Sequence, residues 1–306
     1  MIAFLFPGQG SQFSGMGKDL ADNFSTARLV FEEANDALGF DLSGLCFSGA
    51  EADLKLTANT QPAILTTSIA ALRVLEQETD IKPAYTAGHS LGEYSALVCS
   101  GALSFSDAVR TVRQRGTFMQ EAVPVGVGAM AAVMGIERPE LTQICKDAAE
   151  GEVVEPANFN SPGQIVIAGH TAAVGRAIEL ARERGAKRAL PLPVSAPFHS
   201  SLMEPAARRL EDVLSDITVN PLQCPVVSNV KAAPYQDQAL VKPLLVEQVC
   251  APVNWDESIA AMANLNVDHF VEIGPGKVLS GLVKRIAKGT RIQNIGAVAD
   301  VKKLQE

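Results

Sequence analysis

Tyr85-Thr86-Ala87 runs directly into Gly88-His89-Ser90-Leu91-Gly92, and small and apolar residues resume from Leu91 to Val98. The order is strand, tight turn, helix. GHSLG fits G-x-S-x-G, a pattern in which a serine sits on a sharp turn at the end of a strand. The two glycines let neighbouring backbone pass closely, and the serine hydroxyl projects beyond the sheet. The Leu91 N–H at the helix start then points at a developing oxyanion. The plainer alternative is a strand-to-helix connection that merely contains two glycines.

The rest of the chain supplies an α/β frame for that turn. Ile2 to Phe6 is a continuous apolar run stopped by Pro7-Gly8, which reads as a buried strand followed by a turn. Helical patterns cover 17–38, 61–78 and 105–123. Ser104 or Ser106 can cap the third, with Asp107 in its first turn. The pattern then changes to a strand at 126–134, a helix at 139–149, strands at 153–158 and 164–168, a helix at 171–184 and a strand at 186–192. That βαββαβ order predicts a ferredoxin-like subdomain. The expected division is a large unit of residues 1–125 and 195–306 with a small inserted unit, 126–194. Further helices are predicted at 201–214, 240–248 and 258–263, with strands at 226–229 and 267–273.

Composition narrows the class. Of 306 residues, 47% are hydrophobic, enough for a large core or two unequal ones. The net charge of −8 argues against non-specific binding to nucleic acid or an anionic membrane. Cys46, Cys99, Cys145, Cys224 and Cys250 are scattered and show no CxxC or Cys/His cluster, so no disulfide framework or zinc site is expected. The first residues lack the basic region of a signal peptide, and no later apolar run is long enough to span a bilayer. A cytoplasmic α/β protein is expected.

A serine hydroxyl needs a base, and the chain has four histidines. His89 adjoins Ser90 in the turn and should point away from it. His170 falls in the insert, and His269 lies within an apolar strand. His199, in Ser195-Ala196-Pro197-Phe198-His199-Ser200, stands where the insert returns to the main unit, a place where clefts form. It is the candidate base; without the serine turn it would read as a loop histidine. No acid between Ser90 and His199 sits in a recognisable post-strand turn, so a backbone carbonyl is a candidate to orient the histidine.

Pro7-Gly8-Gln9-Gly10-Ser11-Gln12 fails as a dinucleotide loop because Phe13 takes the third glycine position. If that turn lies beside Ser90, the Gln9 N–H becomes an oxyanion donor. Gly274-Pro275-Gly276-Lys277 fails as a phosphate loop and reads as a structural turn. On the helix 105–123, Arg115 falls roughly 70° from the centre of the apolar stripe at 100° per residue. It could reach inward as a bidentate carboxylate clamp, or snorkel at the rim. Periodicity leaves both open.

Taken together, these segments resemble the malonyl-CoA:acyl carrier protein transacylase family, the loading acyltransferases of bacterial fatty-acid synthesis. The resemblance rests on Phe6-Pro7-Gly8-Gln9-Gly10-Ser11-Gln12, Gln61-Pro62-Ala63, Gly88-His89-Ser90-Leu91-Gly92-Glu93 and Arg113-Gln114-Arg115-Gly116. It continues through Asn158-Phe159-Asn160-Ser161-Pro162-Gly163-Gln164, Ser195-Ala196-Pro197-Phe198-His199, Gln248, Pro252-Val253-Asn254-Trp255 and Glu272-Ile273-Gly274-Pro275-Gly276. It implies a hydrolase-like α/β core with a mainly parallel sheet and a ferredoxin-like insert. It also implies Ser90 as nucleophile, His199 as base, Gln248 as the residue whose backbone carbonyl orients that histidine, and Gln9 and Leu91 as oxyanion donors. Arg115 would clamp the malonyl carboxylate, and Gln61, His89 and Asn160 fall near the pocket. Phe198 resembles malonyl-selective members, where a serine accompanies methylmalonyl selectivity.

The resemblance further implies ping-pong transfer from malonyl-CoA to acyl carrier protein, with no metal or redox cofactor, and a monomer. An acidic chain needs a local basic surface to dock an acidic carrier. Arg182, Arg184, Lys187 and Arg188, or Lys284, Arg285 and Lys288, are the candidates. A stand-alone polyketide acyltransferase shares the same residues, and a serine thioesterase shares the same turn.

Overall fold

The computed structural model describes residues 1–194 and 196–303. Ser195, which opens the segment leading to His199, lies outside the described residues, as do residues 304–306. β1 (Ile2–Phe6) is followed by α1 (Lys18–Asn23), α2 (Ser25–Leu38), α3 (Leu42–Ser48), α4 (Glu51–Leu54) and α5 (Thr57–Glu78). Next come β2 (Tyr85–Gly88), α6 (Gly92–Cys99) and α7 (Phe105–Glu121). β3 (Gly128–Met134), α8 (Arg138–Ala149), β4 (Val154–Ser161), β5 (Gln164–His170), α9 (Thr171–Glu183) and β6 (Arg188–Pro191) follow in βαββαβ order. The chain continues through α10 (Glu204–Ser215), β7 (Val226–Val227), β8 (Pro234–Tyr235), α11 (Val241–Cys250) and α12 (Trp255–Asn264). It closes with β9 (His269–Ile273), α13 (Val278–Ile286), β10 (Arg291–Ile295) and α14 (Val298–Lys302).

The strands form two sheets. The first has the order β10-β9-β1-β2-β7-β8. Its neighbours are parallel except for β7 and β8. The apolar run of β1 follows from its central place: Phe4 and Phe6 enter one core, Ala3 and Leu5 the other. Successive side chains face opposite sides of a sheet, so a strand covered on both sides must be apolar throughout. Trp255 and Ile259 of α12 and Leu279 and Val283 of α13 cover one face, while α5, α6 and α7 supply much of the other core.

The second sheet has the order β4-β5-β3-β6 and is antiparallel, the strand order of a ferredoxin-like fold. Ala131, Val133, Ile165 and Ile167 pack against α8 and α9. Met130, Val166 and Ala168 face the other way and join the main core. One side of this sheet thus buries its own helices and the other roofs the first sheet. Backbone bonds from Phe159 N to Val253 O and from Val253 N to Ala157 O, each 2.9 Å, fasten β4 to the segment before α12.

Several local expectations shift. The helix expected over 17–38 breaks at Phe24, whose extended backbone (φ −126°) closes α1 through its N–H to Leu20 and opens α2. Ser104, not Ser106, caps α7 by accepting from Asp107 N at 3.1 Å. The strand expected to reach residue 229 stops at Val227, because the Ser228 carbonyl accepts from Ala232 N in a tight turn into β8. The edge strand β10 goes unpredicted: Arg-Ile-Gln-Asn-Ile offers too little apolar patterning to mark a strand. Among the described residues no helix is long and apolar enough to cross a membrane, and the five cysteines are free.

Candidate active site

β2 delivers the chain into the serine turn at the carboxyl end of the first sheet, where open parallel sheets place their ligands. A Cβ on Gly88 would stand 1.9 Å from the Gly92 carbonyl, and one on Gly92 2.2 Å from Phe6 O. Both positions therefore exclude any side chain, and the turn folds tightly over β1. Ser90 takes a left-handed backbone (φ 52°), as does His199 (φ 58°). Non-glycine residues held there store about 1–3 kcal/mol of strain each, which the surrounding structure must over-determine.

Ser90 Oγ lies 2.8 Å from His199 Nε2, and His199 Nδ1 lies 2.9 Å from the Gln248 carbonyl oxygen. A carbonyl only accepts, so Nδ1 carries the proton and Nε2 is left to accept from the Ser90 hydroxyl. No carboxylate takes part in this chain of bonds. Burial, and then the Arg115 charge, depress the His199 pKa to about 3. The imidazole is therefore neutral at ordinary pH.

Arg115 points inward and is 1% exposed. Its Nη1 donates to Gln61 Oε1 at 2.8 Å, and its Nη2 donates to Gln248 Oε1 at 2.9 Å and Ser90 Oγ at 3.2 Å. Its Nε has no hydrogen-bond partner among the described residues. Between the two readings that periodicity left open, the fold places the guanidinium beside Ser90 and not at the rim.

The remaining predicted residues gather around the same point. A cavity of about 130 Å³ is lined by Gln9, Gln61, His89, Ser90, Leu91, Arg115 and His199, with Met119, Met130 and Phe198 on its apolar walls. Leu192 and Val194, just after β6, close it from the second sheet. A larger cleft of about 750 Å³ shares Gln9, His89, Leu192 and Val194 with it and extends past Leu56 and Asn160 to Val278 and Leu282. Gln9 Nε2 donates to Thr57 Oγ1 at 3.3 Å, and the backbone N–H groups of Gln9 and Leu91 make no hydrogen bond among the described residues. His89 points away from Ser90. Its Nε2 lies 2.8 Å from Asn160 Oδ1 and its ring centroid 5.5 Å from that of Trp255. Asn160 thus reaches the site through His89 and lines the larger cleft. His170 accepts from Val153 N within the second sheet, and His269 opens β9 at the end of the first sheet opposite Ser90.

Two further residues of the site have no role assigned from the sequence. Glu93, wholly buried in α6, accepts from Gln248 Nε2 at 2.7 Å and Asn229 N at 3.2 Å, both through Oε2. Burial raises its pKa to about 7 against the opposing hydrogen bonds and the Arg115 charge. Asn229, also wholly buried, bonds the serine turn directly. The available signal was its place at the carboxyl end of the strand expected over 226–229, where polar groups converge in open α/β sheets. Among the described residues no group of three or more His, Cys, Asp or Glu is placed to hold a metal ion.

A neutral imidazole on a strained serine, two N–H groups unpaired among the described residues and a buried guanidinium stand together at the carboxyl end of a parallel sheet, an arrangement suited to acyl transfer through a serine. The acyl transferase domain family matches residues 3–304, and the chain belongs to that family. It is 54% identical over 300 residues to the malonyl CoA-acyl carrier protein transacylase of Bacillus subtilis, covering 98% of this chain and 93% of that one. The solved malonyl CoA-acyl carrier protein transacylase of Coxiella burnetii superposes with a TM-score of 0.97 at 42% identity, covering 99% and 96% of the two chains. A malonyl-transacylase in complex with its type II PKS acyl-carrier protein superposes at 0.96 with 46% identity, covering 99% and 98%.

Proposed function

We propose that this acyltransferase moves a malonyl group from malonyl-CoA to the phosphopantetheine thiol of an acyl carrier protein through a Ser90 ester. Ser90 Oγ attacks the thioester carbon while His199 Nε2 takes its proton. The carbonyl oxygen becomes an oxyanion and accepts from the Gln9 and Leu91 N–H groups. The tetrahedral adduct collapses, the C–S bond breaks, and His199 returns the proton to the departing CoA thiolate. The carrier thiol then gives its proton to His199 and attacks the ester carbonyl; the C–O bond to Ser90 breaks, and His199 returns the proton to Ser90 Oγ. The Gln248 carbonyl keeps His199 in the required tautomer. It carries no charge, so it stabilises the imidazolium less than an acid would.

The observation that carries this reading is Arg115, a buried cation with its Nη2 3.2 Å from Ser90 Oγ. A guanidinium taken out of water at this cost suits a substrate carboxylate, which it binds in a fork. Phe198 on the cavity wall crowds an α-methyl branch and so favours malonyl over methylmalonyl. A thioesterase would release free acid, whereas this site should hold its ester until a thiol arrives. Intact-protein mass spectrometry after brief exposure to malonyl-CoA should show a malonyl adduct that Ser90→Ala abolishes. Rapid release of malonate with no adduct would favour hydrolysis. The structural likeness to a malonyl-transacylase complexed with a polyketide carrier keeps a polyketide synthase carrier as the second reading of the acceptor.

The proposed division is a large catalytic unit, 1–125 and 195–306, and a small ferredoxin-like unit, 126–194, whose sheet roofs the site. No metal or redox cofactor enters this chemistry, and a cytoplasmic monomer is proposed. Of the two basic clusters, α13 suits an acidic carrier better. Val278, Leu279 and Leu282 of that helix line the larger cleft, beside Lys284 and Arg285. In the insert, Arg182 and Arg184 are paired with the carboxylates of Glu179 and Asp147, whereas Arg285 donates to the neutral amide of Gln164 and keeps its charge uncompensated there. Charge reversal at Lys284 and Arg285 should raise KM for the carrier and leave acylation by malonyl-CoA intact; equal loss in both half-reactions would sink this docking site.

A further inference from the structure

The serine turn is tied down by a side chain 139 residues away. Asn229 Oδ1 accepts from Ser90 N at 2.7 Å, and Asn229 Nδ2 donates to Gly88 O at 2.7 Å. One planar amide thus bridges the two peptide groups on either side of His89, through the Gly88 C=O and the Ser90 N–H. A primary amide is the neutral side-chain group that offers a donor and an acceptor in one rigid plane. Asn229 itself is fixed from both sides. Its N–H donates to Glu93 Oε2 at 3.2 Å, and its carbonyl accepts from Asn254 N at 2.9 Å. Glu93 Oε2 also holds Gln248 Nε2, and Gln248 supplies the carbonyl on His199. The supports of the serine and of the histidine therefore meet on one buried oxygen.

We propose that Asn229 is a positioning residue for this reaction, holding Ser90 in its left-handed conformation; this rests on Ser90 being the nucleophile. The backbone torsions of Ser90 set two things at once. They aim Oγ at His199 Nε2, and they orient the Ser90–Leu91 peptide, whose N–H is the proposed oxyanion donor. A serine free to relax to negative φ gives up both. Misplacement of a reacting group by about 1 Å costs on the order of 100-fold in rate.

The test is single-turnover acylation by malonyl-CoA, read by rapid quench and intact-protein mass, for wild type, Asn229→Ala, Asn229→Asp and Ser90→Ala. In Asn229→Ala the acylation rate constant should fall by about 100-fold. The malonyl-CoA concentration at half-maximal rate should stay within about three-fold, because no substrate contact is removed. The final fraction acylated should match wild type, and transfer from the ester to pantetheine should slow by a similar factor. Asn229→Asp preserves shape and the acceptor for Ser90 N but replaces the donor to Gly88 O, so it too should slow by about ten-fold or more. A purely structural role would lower the fraction acylated and leave the rate constant of the folded molecules unchanged. That result, or a rate within about three-fold of wild type in either variant, overturns the proposal. Ser90→Ala separates the two levels: an adduct that survives it removes the nucleophile itself, whereas a normal rate in the Asn229 variants removes only this positioning role.

Discussion

Replacing Arg115 with methionine asks whether the buried cation selects the acyl group or merely scaffolds the site. Methionine keeps most of the length and the apolar stem and removes the charge and its donors. Gln61 Oε1 and Gln248 Oε1 lose their partners, and each unsatisfied buried acceptor costs about 1–3 kcal/mol. That loss falls on every acyl donor alike. The loss specific to malonyl is the charge-assisted fork, two bonds of about 1.5–3 kcal/mol each. At about 1.4 kcal/mol per factor of ten, the ratio of kcat/KM for malonyl-CoA over acetyl-CoA should fall by about 10²–10⁴.

A second readout comes from His199. The Arg115 charge is, after burial, the next cause of its depressed pKa, so removing that charge should move the pKa upward from about 3. The acid limb of the acetylation profile should shift to higher pH accordingly. The assay is acylation of both proteins by both thioesters across pH, read as the Ser90 adduct. An equal fall for malonyl and acetyl, with no shift of the acid limb, would refute the clamp and leave Arg115 a support for Gln61 and Gln248.

Other positions give independent checks. Gly88→Ala places a Cβ 1.9 Å from the Gly92 carbonyl and should cost about 3 kcal/mol or more, read by urea unfolding. Retained stability and acylation would show that the turn can open without penalty. Glu93→Gln tests the buried carboxyl. Its pKa of about 7 lies above the ordinary 4.5, so between those values the native state holds a proton that the unfolded chain has released. Wild type therefore loses stability as pH rises through that window, by at most roughly 3 kcal/mol. Because both hydrogen bonds fall on Oε2, an amide oxygen can keep them. The stability of Glu93→Gln relative to wild type should then rise from pH 4.5 to 7; a difference that does not change with pH would contradict this account.

Much of the frame was legible from pattern alone. The run of β1 and the strand–turn–helix around Ser90 are local, and close backbone approach demands glycine at 88 and 92 whatever the rest of the fold does. The βαββαβ order of the insert follows from alternating short segments with different periods. The sequence also narrowed the histidines to His199, because the other three fall where a base for Ser90 is poorly placed. Weakly patterned edges such as β10 did not show, since an edge strand needs no continuous apolar face.

The tertiary structure decided what local pattern could not. Helix periodicity put Arg115 at the border of a stripe, compatible with rim or interior; the packing of α7 against α5 carried it to Gln61, Gln248 and Ser90. The group that orients His199 is a backbone carbonyl, which every residue possesses and which therefore leaves no mark in the choice of side chain at 248. Asn229 reaches the turn from the loop after β7 and Glu93 of α6 holds Asn229 in turn, and a buried polar side chain has meaning only through the partner that satisfies it. Residue types thus named the candidate groups, while their tautomer, strain and charge environment were set by contacts between segments 25 to 139 residues apart.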